Sequence, residues 1–567
     1  MGTTAQKLQA VANSKADIAA AIAEKGGTVP TKLSDYDEAI RNIPQSELDE
    51  LLMDYDKTFL VFYDIDGNII RWFSKAEVDA WQSAADMPTP PSRTEDGFTT
   101  AEWNWTWEDV VTARTNNTPG FVAPQYARSD IKSVAFIETT DANTTVYANF
   151  SGSAKMSVDW GDGSTTETAS ATGIQHLGPH TYVTPGRYKL LFWPSSTNSG
   201  MELGDGVLPF LSSSGIRDIK NVTWEENGIV RELFFGEYKC SPSTGYRGLC
   251  GMSKCTRYHY SINTKTSTTI YANIIPETPN GPSYKIMVIP KTITNARGNN
   301  QFYFTGIDLR VVAAHPRFPA TGFSWYGIRR NNCKHIRFPS INDGSYSTGT
   351  SAYYWSASPV MDAFIGTRIT QMSQDEFSSC VSLRKVVFKS GATFNGSRTR
   401  CFQNAFRLES ITGLNLSNET AIGDSCFINC HILFGDLSLP ELTTIANCAF
   451  NTCTSLKSVV LGKAGTTLTT SGSAIFRYCK SLRSVKVNGH LSSVVQTMFA
   501  NCDLLRTVDL SGCTSVPTLA NTNAFDGCPC LEQIIVPDSL YSTWIAASNW
   551  SSTTNNIVNC IVKASEA

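Results

Sequence analysis

The sequence holds sixteen cysteines. Most recur at fixed places in the C-terminal part: Cys380, Cys430, Cys453, Cys479, Cys502 and Cys528, with Cys401, Cys426 and Cys448 each just ahead of a phenylalanine. In a chain made in a reducing cytoplasm such thiols are expected to stay buried and reduced. Cys250 and Cys255, with Cys240 nearby, suggest a metal knuckle, but the spacing fits no strong zinc pattern and lacks a second half. His176 and His180 lie four apart, after Asp162, yet Pro179 interrupts any helix that would put them on one face, so structural histidines are expected. Asp64, Asp66 and Asn68 imitate a calcium loop without its closing glutamate, which leaves turn chemistry. Trp103, Trp105 and Trp107 could stack sugars; the same spacing suits a strand or turn lidding a small core, the preferred reading. His259, His315, His335, His431 and His490 are scattered, and no Ser-His-Asp order, supported acid pair or phosphate-binding glycine loop stands out. The expectation is a chain with no catalytic residues, no cofactor and no metal.

The element that positions most of the cysteines is one short phrase written seven times. It reads Phe377-Cys380-Leu383, Phe402-Ala405-Leu408, Phe427-Cys430-Leu433, Phe450-Cys453-Leu456, Phe476-Cys479-Leu482, Phe499-Cys502-Leu505 and Phe525-Cys528-Leu531. The Phe-to-Phe steps are 25, 25, 23, 26, 23 and 26 residues, within the period of leucine-rich solenoids. Most copies are followed by an alternating apolar run, such as Val459 to Leu461 or Val485 to Val487, the period-2 signature of a strand. A unit this short cannot bury its apolar side alone, so units must stack and their Phe and Leu must form interior ladders. Each such side chain, fully buried, stabilises by about 1.5 to 3 kcal/mol. Ala405 in place of cysteine argues for packing over chemistry at that position.

These residues resemble the BspA-type leucine-rich repeats. The resemblance covers about 160 residues and extends to Val536-Pro537-Asp538-Ser539-Leu540, Trp544-Ile545 and Ala547-Ser548-Asn549-Trp550, which look like a terminal cap. It implies a parallel repeat scaffold used for adhesion.

A chain of 567 residues is too long for one core, and about three to five domains are expected. The fold class read from the whole sequence is multidomain and mainly β, in five parts. Residues 1–55 form a helical segment in which Leu8, Val11, Ile18 and Ile22 share one face and must pack on a partner; Ser46-Glu47-Leu48-Asp49 marks a further helix start. From Lys7 to Ile43 this segment resembles the opening of tail and fibre proteins of phages infecting gut bacteria, which implies docking on a virion. Residues 56–125 form a small α+β domain with a hairpin around Gly67 and a helix opening at Ser74; its Trp103-Asn104-Trp105 phrase resembles a module of phage tail proteins. Residues 126–198 carry Trp160-Gly161-Asp162-Gly163 followed by His180-Thr181-Tyr182. They resemble the PKD-type immunoglobulin-like β-sandwich, and Val158 and Trp160, and Tyr188, Leu190 and Phe192, alternate as its strands require. Residues 199–376 read as degenerate earlier coils, with Tyr303, Trp325, Tyr326, Tyr353, Tyr354 and Trp355 as a candidate receptor surface, although burial against the solenoid suits them equally. Residues 377–567 are the leucine-rich-repeat solenoid with its cap.

Net charge is -3 and only 17% of residues are charged, which gives no sign of nucleic acid as a partner. No run of apolar residues is long enough to span a membrane, and the opening lacks the apolar core of a secretion signal. A surface-type architecture without an export signal is expected of a phage particle assembled in the host cytoplasm. The reading is a structural and adhesive virion component of tail- or head-fibre type, a homo-oligomer, held by other virion proteins through its N-terminus and binding a host surface glycan or protein. A BspA-like bacterial surface adhesin is the first alternative. A phage glycan depolymerase is the second, opposed by the scarcity of Asp and Glu in the repeats.

Overall fold

The computed structural model describes residues 45–65, 69–196, 201–203, 210–212, 229–237, 240–242, 257–260, 286–289, 311–314, 333–338, 356–365, 374–392, 399–553 and 557–567. Helix α1, Gln45–Met53, leads into a small α+β unit. Leu60–Tyr63 is the central strand of a three-stranded sheet, antiparallel to Ile69–Phe73 and parallel to Gly120–Val122. Successive strand side chains leave on opposite faces. Leu60 and Phe62 accordingly join Phe73, Val78, Trp81, Trp103 and Trp105, whereas Val61 and Tyr63 join Leu52, Phe121 and Val311. Ser74 and Glu77 close a capping box ahead of α2 (Lys75–Ala80), as Thr106 and Asp109 do ahead of α3 (Trp107–Thr115). The tryptophan triplet is thus a strand end, a turn and a helix start, and Trp103 and Trp105 are buried. A Cβ on Gly120 would lie 2.2 Å from the Trp105 ring, so only glycine lets that ring close on the sheet.

Two sheets follow, packed face to face. One holds Ser133–Thr139, Gly186–Pro194, Met156–Asp159 and Glu167–Thr168, and the other holds Thr144–Gly152 and Gly173–Tyr182. Phe150, Phe192 and Phe210 meet between them at centroid distances of 5.6 to 6.5 Å. The described strands of residues 199–376, a region expected as degenerate earlier coils, divide between two structures. Met201–Leu203 and Phe210–Leu211 pair with Thr144–Gly152, and Val230–Phe235 pairs with Ser133–Thr139, so these strands extend the two sheets. Backbone pairing with strands already in place satisfies their amides and carbonyls, and Leu203, Phe210, Val230 and Leu233 add to the same core.

The later strands of that region belong to the solenoid. Ile286–Ile289, Val311–Ala314, His335–Phe338, Asp362–Ile365, Lys385–Ala392 and Ser410–Leu414 form one parallel sheet, which crosses residue 376 without a break. A second parallel sheet holds Asp436–Leu439, Ser458–Leu461, Ser484–Val487, Thr507–Asp509, Gln533–Val536 and Ile561–Lys563. Behind these sheets the seven phenylalanines stack at centroid distances of 5.3 to 5.9 Å. Trp550 meets the last ring, Phe525, at 6.4 Å, and Trp544 of helix α4 (Tyr541–Ala546) packs against Trp550 at 5.4 Å.

The turn that carries each phenylalanine has a backbone feature of its own. Ser379, Asn404, Asn429, Thr452, Tyr478, Asn501 and Gly527, each two residues after the ring, have φ of 59° to 70°. Asp375, Arg400, Ser425, Cys448, Ala474 and Thr497, each two residues before it, have φ of 52° to 59°. L-residues resist this left-handed region by about 1 to 2 kcal/mol. The compensation is a further ladder: the Phe377, Phe402, Phe427, Phe450, Phe476 and Phe499 amides donate to carbonyls of the next coil at 2.8 to 2.9 Å. Each of these six amides is thereby satisfied without leaving the stack.

Candidate functional site

The interior is closed to chemistry. Every phrase phenylalanine is at most 1% exposed. The Cys430, Cys453, Cys479, Cys502 and Cys528 thiols donate to the carbonyls of Phe402, Phe427, Phe450, Phe476 and Phe499, one coil back, at 3.0 to 3.3 Å. The cysteine is therefore a small side chain with a donor, and Ala405 keeps only the size. Burial pushes the Cys380 thiol up to about 12 and the Cys528 thiol up to about 11, and raises Cys430, Cys453, Cys479 and Cys502 as well. The thiolate is the nucleophile and the metal ligand, so protonated interior thiols are inert.

The Trp160-Gly161-Asp162-Gly163 turn is also built for packing. Trp160 is buried, its carbonyl accepts from the Tyr182 hydroxyl at 2.7 Å, and the His180 ring stacks on it at 4.8 Å. His180 Nε2 lies 2.8 Å from Asp162, while His176 Nδ1 faces Asn149 at 2.7 Å, so the two histidines serve different partners. Gly161 has φ of +80°, and a Cβ there would meet the Lys189 carbonyl at 2.3 Å. Among the described residues no group of three His, Cys, Asp or Glu side chains is placed to hold a metal ion. Leu8, Val11, Ile18 and Ile22, and Tyr303, Trp325, Tyr326, Tyr353, Tyr354 and Trp355, lie outside the described residues.

What remains is the outer surface. A four-stranded parallel sheet of Ala421–Ile422, Thr444–Ile445, Thr467–Thr470 and His490–Leu491 forms a further side of the coils, beside the two six-stranded solenoid sheets. The strands of the six-stranded sheets share one rule: Ile336, Ala363 and Val386 in the first, and Leu437, Val459, Val485, Val508 and Ile534 in the second, point inward in register. The alternate positions face out. In the second sheet Asp436, Ser458, Lys486, Asp509 and Ile535 are exposed or half-buried. Neighbouring coils exchange ion pairs there, Lys486 with Asp509 at 2.8 Å and Arg506 with Glu532 at 2.6 Å. Beyond the strand ends an open groove is lined by Glu441, Lys463, Lys486, Asn488 and Ser511.

In the first sheet the outward positions of His335–Phe338 and Asp362–Ile365 are covered, whereas Lys385 and Ser410 on the next strands are half-buried and Thr412 is exposed. His335 and Asp362 are fully buried, and Arg337 and Phe364 nearly so. The cover is α1 with Tyr55 and Phe121. Asp49 of α1 meets Lys334 at 2.7 Å and His335 Nε2 at 3.2 Å, and Glu50 pairs with Arg384. Arg337 donates to the Leu52 carbonyl at 2.7 Å and to Asp362, and its guanidinium lies over the Tyr55 and Phe121 rings. Tyr55 donates to Asp362 at 2.8 Å, and His335 Nδ1 faces the same carboxylate. Burial opposes ionisation of Asp362, but the Arg337 and His335 charges outweigh it and hold the carboxyl below its ordinary range. Burial also raises Tyr55 well above the usual phenol range, so it remains a donor. The partner of α1 is this chain's own sheet.

Parallel strands stacked coil upon coil around an apolar ladder define a leucine-rich-repeat β-solenoid. Its repeats are of BspA type: the family described as BspA type leucine rich repeat region matches in six copies, over residues 331–434 and 420–549. The match begins ahead of Phe377, in agreement with a sheet that starts earlier. No curated protein matches the chain. Among solved structures the chain is similar to a leucine rich cell surface protein from Faecalibacterium prausnitzii A2-165, at 17% identity over 49% of this chain and 79% of that one, with a TM-score of 0.21. It is also similar to a leucine-rich repeat protein from Bacteroides ovatus ATCC 8483, at 15% identity over 57% and 94% of the two chains, with a TM-score of 0.24. A third, the pneumococcal vaccine antigen PcpA, shares 13% identity over 48% and 82%, with a TM-score of 0.27.

Proposed function

We propose that the chain is a non-enzymatic, adhesin-type display protein that binds a cell-surface glycan or protein through the open outer face of its second solenoid sheet. One observation carries this reading: the residues that repeat are interior, and the outward residues between them differ from coil to coil. Asp436, Ser458, Ser484, Thr507 and Gln533 occupy one column, and Ser438, Val460, Lys486, Asp509 and Ile535 the next. A common frame with a varied surface is what recognition of a large partner uses. The BspA-type repeats support the adhesive role. The test is adhesion of the purified chain to bacterial and epithelial cells, beside a variant with Lys486, Arg506, Asp509 and Glu532 all changed to alanine. Loss of adhesion with an unchanged circular dichroism spectrum is expected; equal adhesion by both proteins, or none by either, would sink the proposal.

A second reading mounts the same display on a phage particle. The resemblance from Lys7 to Ile43, with that of the Trp103-Asn104-Trp105 phrase, favours it. Here the N-terminal segment docks on other virion proteins, the two-sheet unit acts as a PKD-like spacer, and copies assemble as homo-oligomers. Immunogold labelling of intact particles decides it, since particles free of label refute virion mounting while leaving adhesion in place.

A further inference from the structure

The second sheet ends on a corner where four coils lie in register. Leu439, Leu461 and Val487 are paired across it, and Lys486 is paired with Asp509. Residues at and just beyond these strand ends line one open groove of about 370 Å³. Crossing four coils at about 4.8 Å per step, it runs roughly 14 Å along the solenoid axis. Glycine keeps it open: Gly462 has φ of 69°, and a Cβ on Gly512 would lie 2.3 Å from the Asn488 carbonyl oxygen, so backbone rather than side chain lines the groove at both places. Repeat length raises its wall. Residues 461–476 and 510–525 are longer stretches than 439–450 and 487–499, and Lys463, Ala464 and Gly465 of a long coil all stand exposed.

The lining is polar, charged and balanced. Lys463 donates to both carboxylate oxygens of Glu441 at 3.3 Å, and Lys486 donates to Asp509 at 2.8 Å. Asn488 donates its side-chain amide to the Gly462 carbonyl oxygen at 3.2 Å, which fixes that side chain on the groove. Each ammonium already has a carboxylate, so an anionic ligand finds no uncompensated charge and meets two like ones. A bulky apolar anchor finds no pocket either, because the apolar side chains of the lining are Pro440, Ala464 and the buried Val487. A neutral hydroxyl both donates and accepts. Two adjacent hydroxyls of a sugar can therefore engage one pair together, the first donating to the carboxylate and the second accepting from the ammonium, with the charge balance intact. Glu441 and Lys463 are 46% and 61% exposed, so the pair is open to such a ligand.

We propose that this corner groove is a glycan subsite, which takes a short stretch of neutral, hydroxyl-rich polysaccharide laid along the solenoid axis, its adjacent hydroxyls on the Glu441–Lys463 and Lys486–Asp509 pairs. The assignment rests on the adhesive reading above and narrows the partner from glycan or protein to neutral glycan.

The experiment applies the full chain to an array of neutral and acidic oligosaccharides, beside the double variant Glu441→Ala/Lys463→Ala and the variant Ser511→Trp, which fills the groove. Binding to neutral hexose chains is expected. Loss of hydrogen bonds to charged groups predicts binding about ten- to hundredfold weaker in the double variant, and Ser511→Trp should abolish it. Binding confined to acidic glycans, binding to none, or neutral-glycan binding that survives undiminished in either folded variant would overturn the subsite. Circular dichroism checks the fold; if Ser511→Trp fails to fold, the double variant decides, since both of its positions are on the surface. Adhesion of the same proteins to cells separates the two claims. Full adhesion by both variants with no binding on the array overturns the glycan groove and leaves the adhesive face standing, whereas neutral-glycan binding without adhesion does the reverse.

Discussion

The two six-stranded solenoid sheets follow the same inward rule and differ where the first is covered from outside. Asp362–Ile365 is buried at all four positions, whereas Asp436–Leu439 alternates exposed and buried. On the two covered strands, His335–Phe338 and Asp362–Ile365, the polar outward residues are a histidine, an arginine and an aspartate, each with a partner inside a closed cluster. On the open sheet the charges pair with the next coil and keep their water. Burying charge is costly unless each group is paired and hydrogen-bonded, so a covered face must choose its residues jointly with its cover. An open face is free of that demand. The repeat prescribes the inside of each coil, and what lies against the outside prescribes the rest.

The comparison predicts a steep difference between similar substitutions. Asp362→Ala removes the carboxylate shared by Arg337, His335 and Tyr55 and should cost about 3 to 5 kcal/mol, read as a lower urea midpoint and faster exchange in residues 45–53 and 335–338. Acid tests the same residue without mutation. Its folded pKa lies below the unfolded value, so its contribution is complete above about pH 4 and is lost as pH falls through the folded value. Undocking of α1 on that descent, ahead of any change in the second sheet, is the expected outcome. A turn substitution ignores the faces altogether: Asn429→Val, at φ of 63°, should cost about 1 to 2 kcal/mol, and Asn429→Gly much less. On the open sheet Asp509→Asn should cost less than about 1 kcal/mol, since Lys486 is half exposed. Equal costs for Asp362→Ala and Asp509→Asn would erase the distinction between the faces.

Sequence reasoning reached the interior because three positions recur with fixed residue types. It did not reach the left-handed turns. Asn404, Asn429, Asn501 and Gly527 are residues that tolerate positive φ, but Ser379, Thr452 and Tyr478 hide the rule. The tryptophan triplet read as simple alternation, although Thr106 and Asp109 already spelled a helix start. The start of a helix near Ser46 was legible. The covered face was not. Asp49 and Lys334 are 285 residues apart in sequence, and His335 alone looks like any scattered histidine. Pairing of two such distant residues leaves no local pattern to read.

The in-register coils have a mechanical consequence. Each coil contacts chiefly its neighbours, so tension along the solenoid axis loads one interface at a time and peels coils in sequence. A freed coil of about 25 residues adds roughly 80 to 90 Å of slack. In an optical trap, extension from the C-terminal end should give a sawtooth of such steps rather than one rupture. A tether built this way lengthens under shear and holds on.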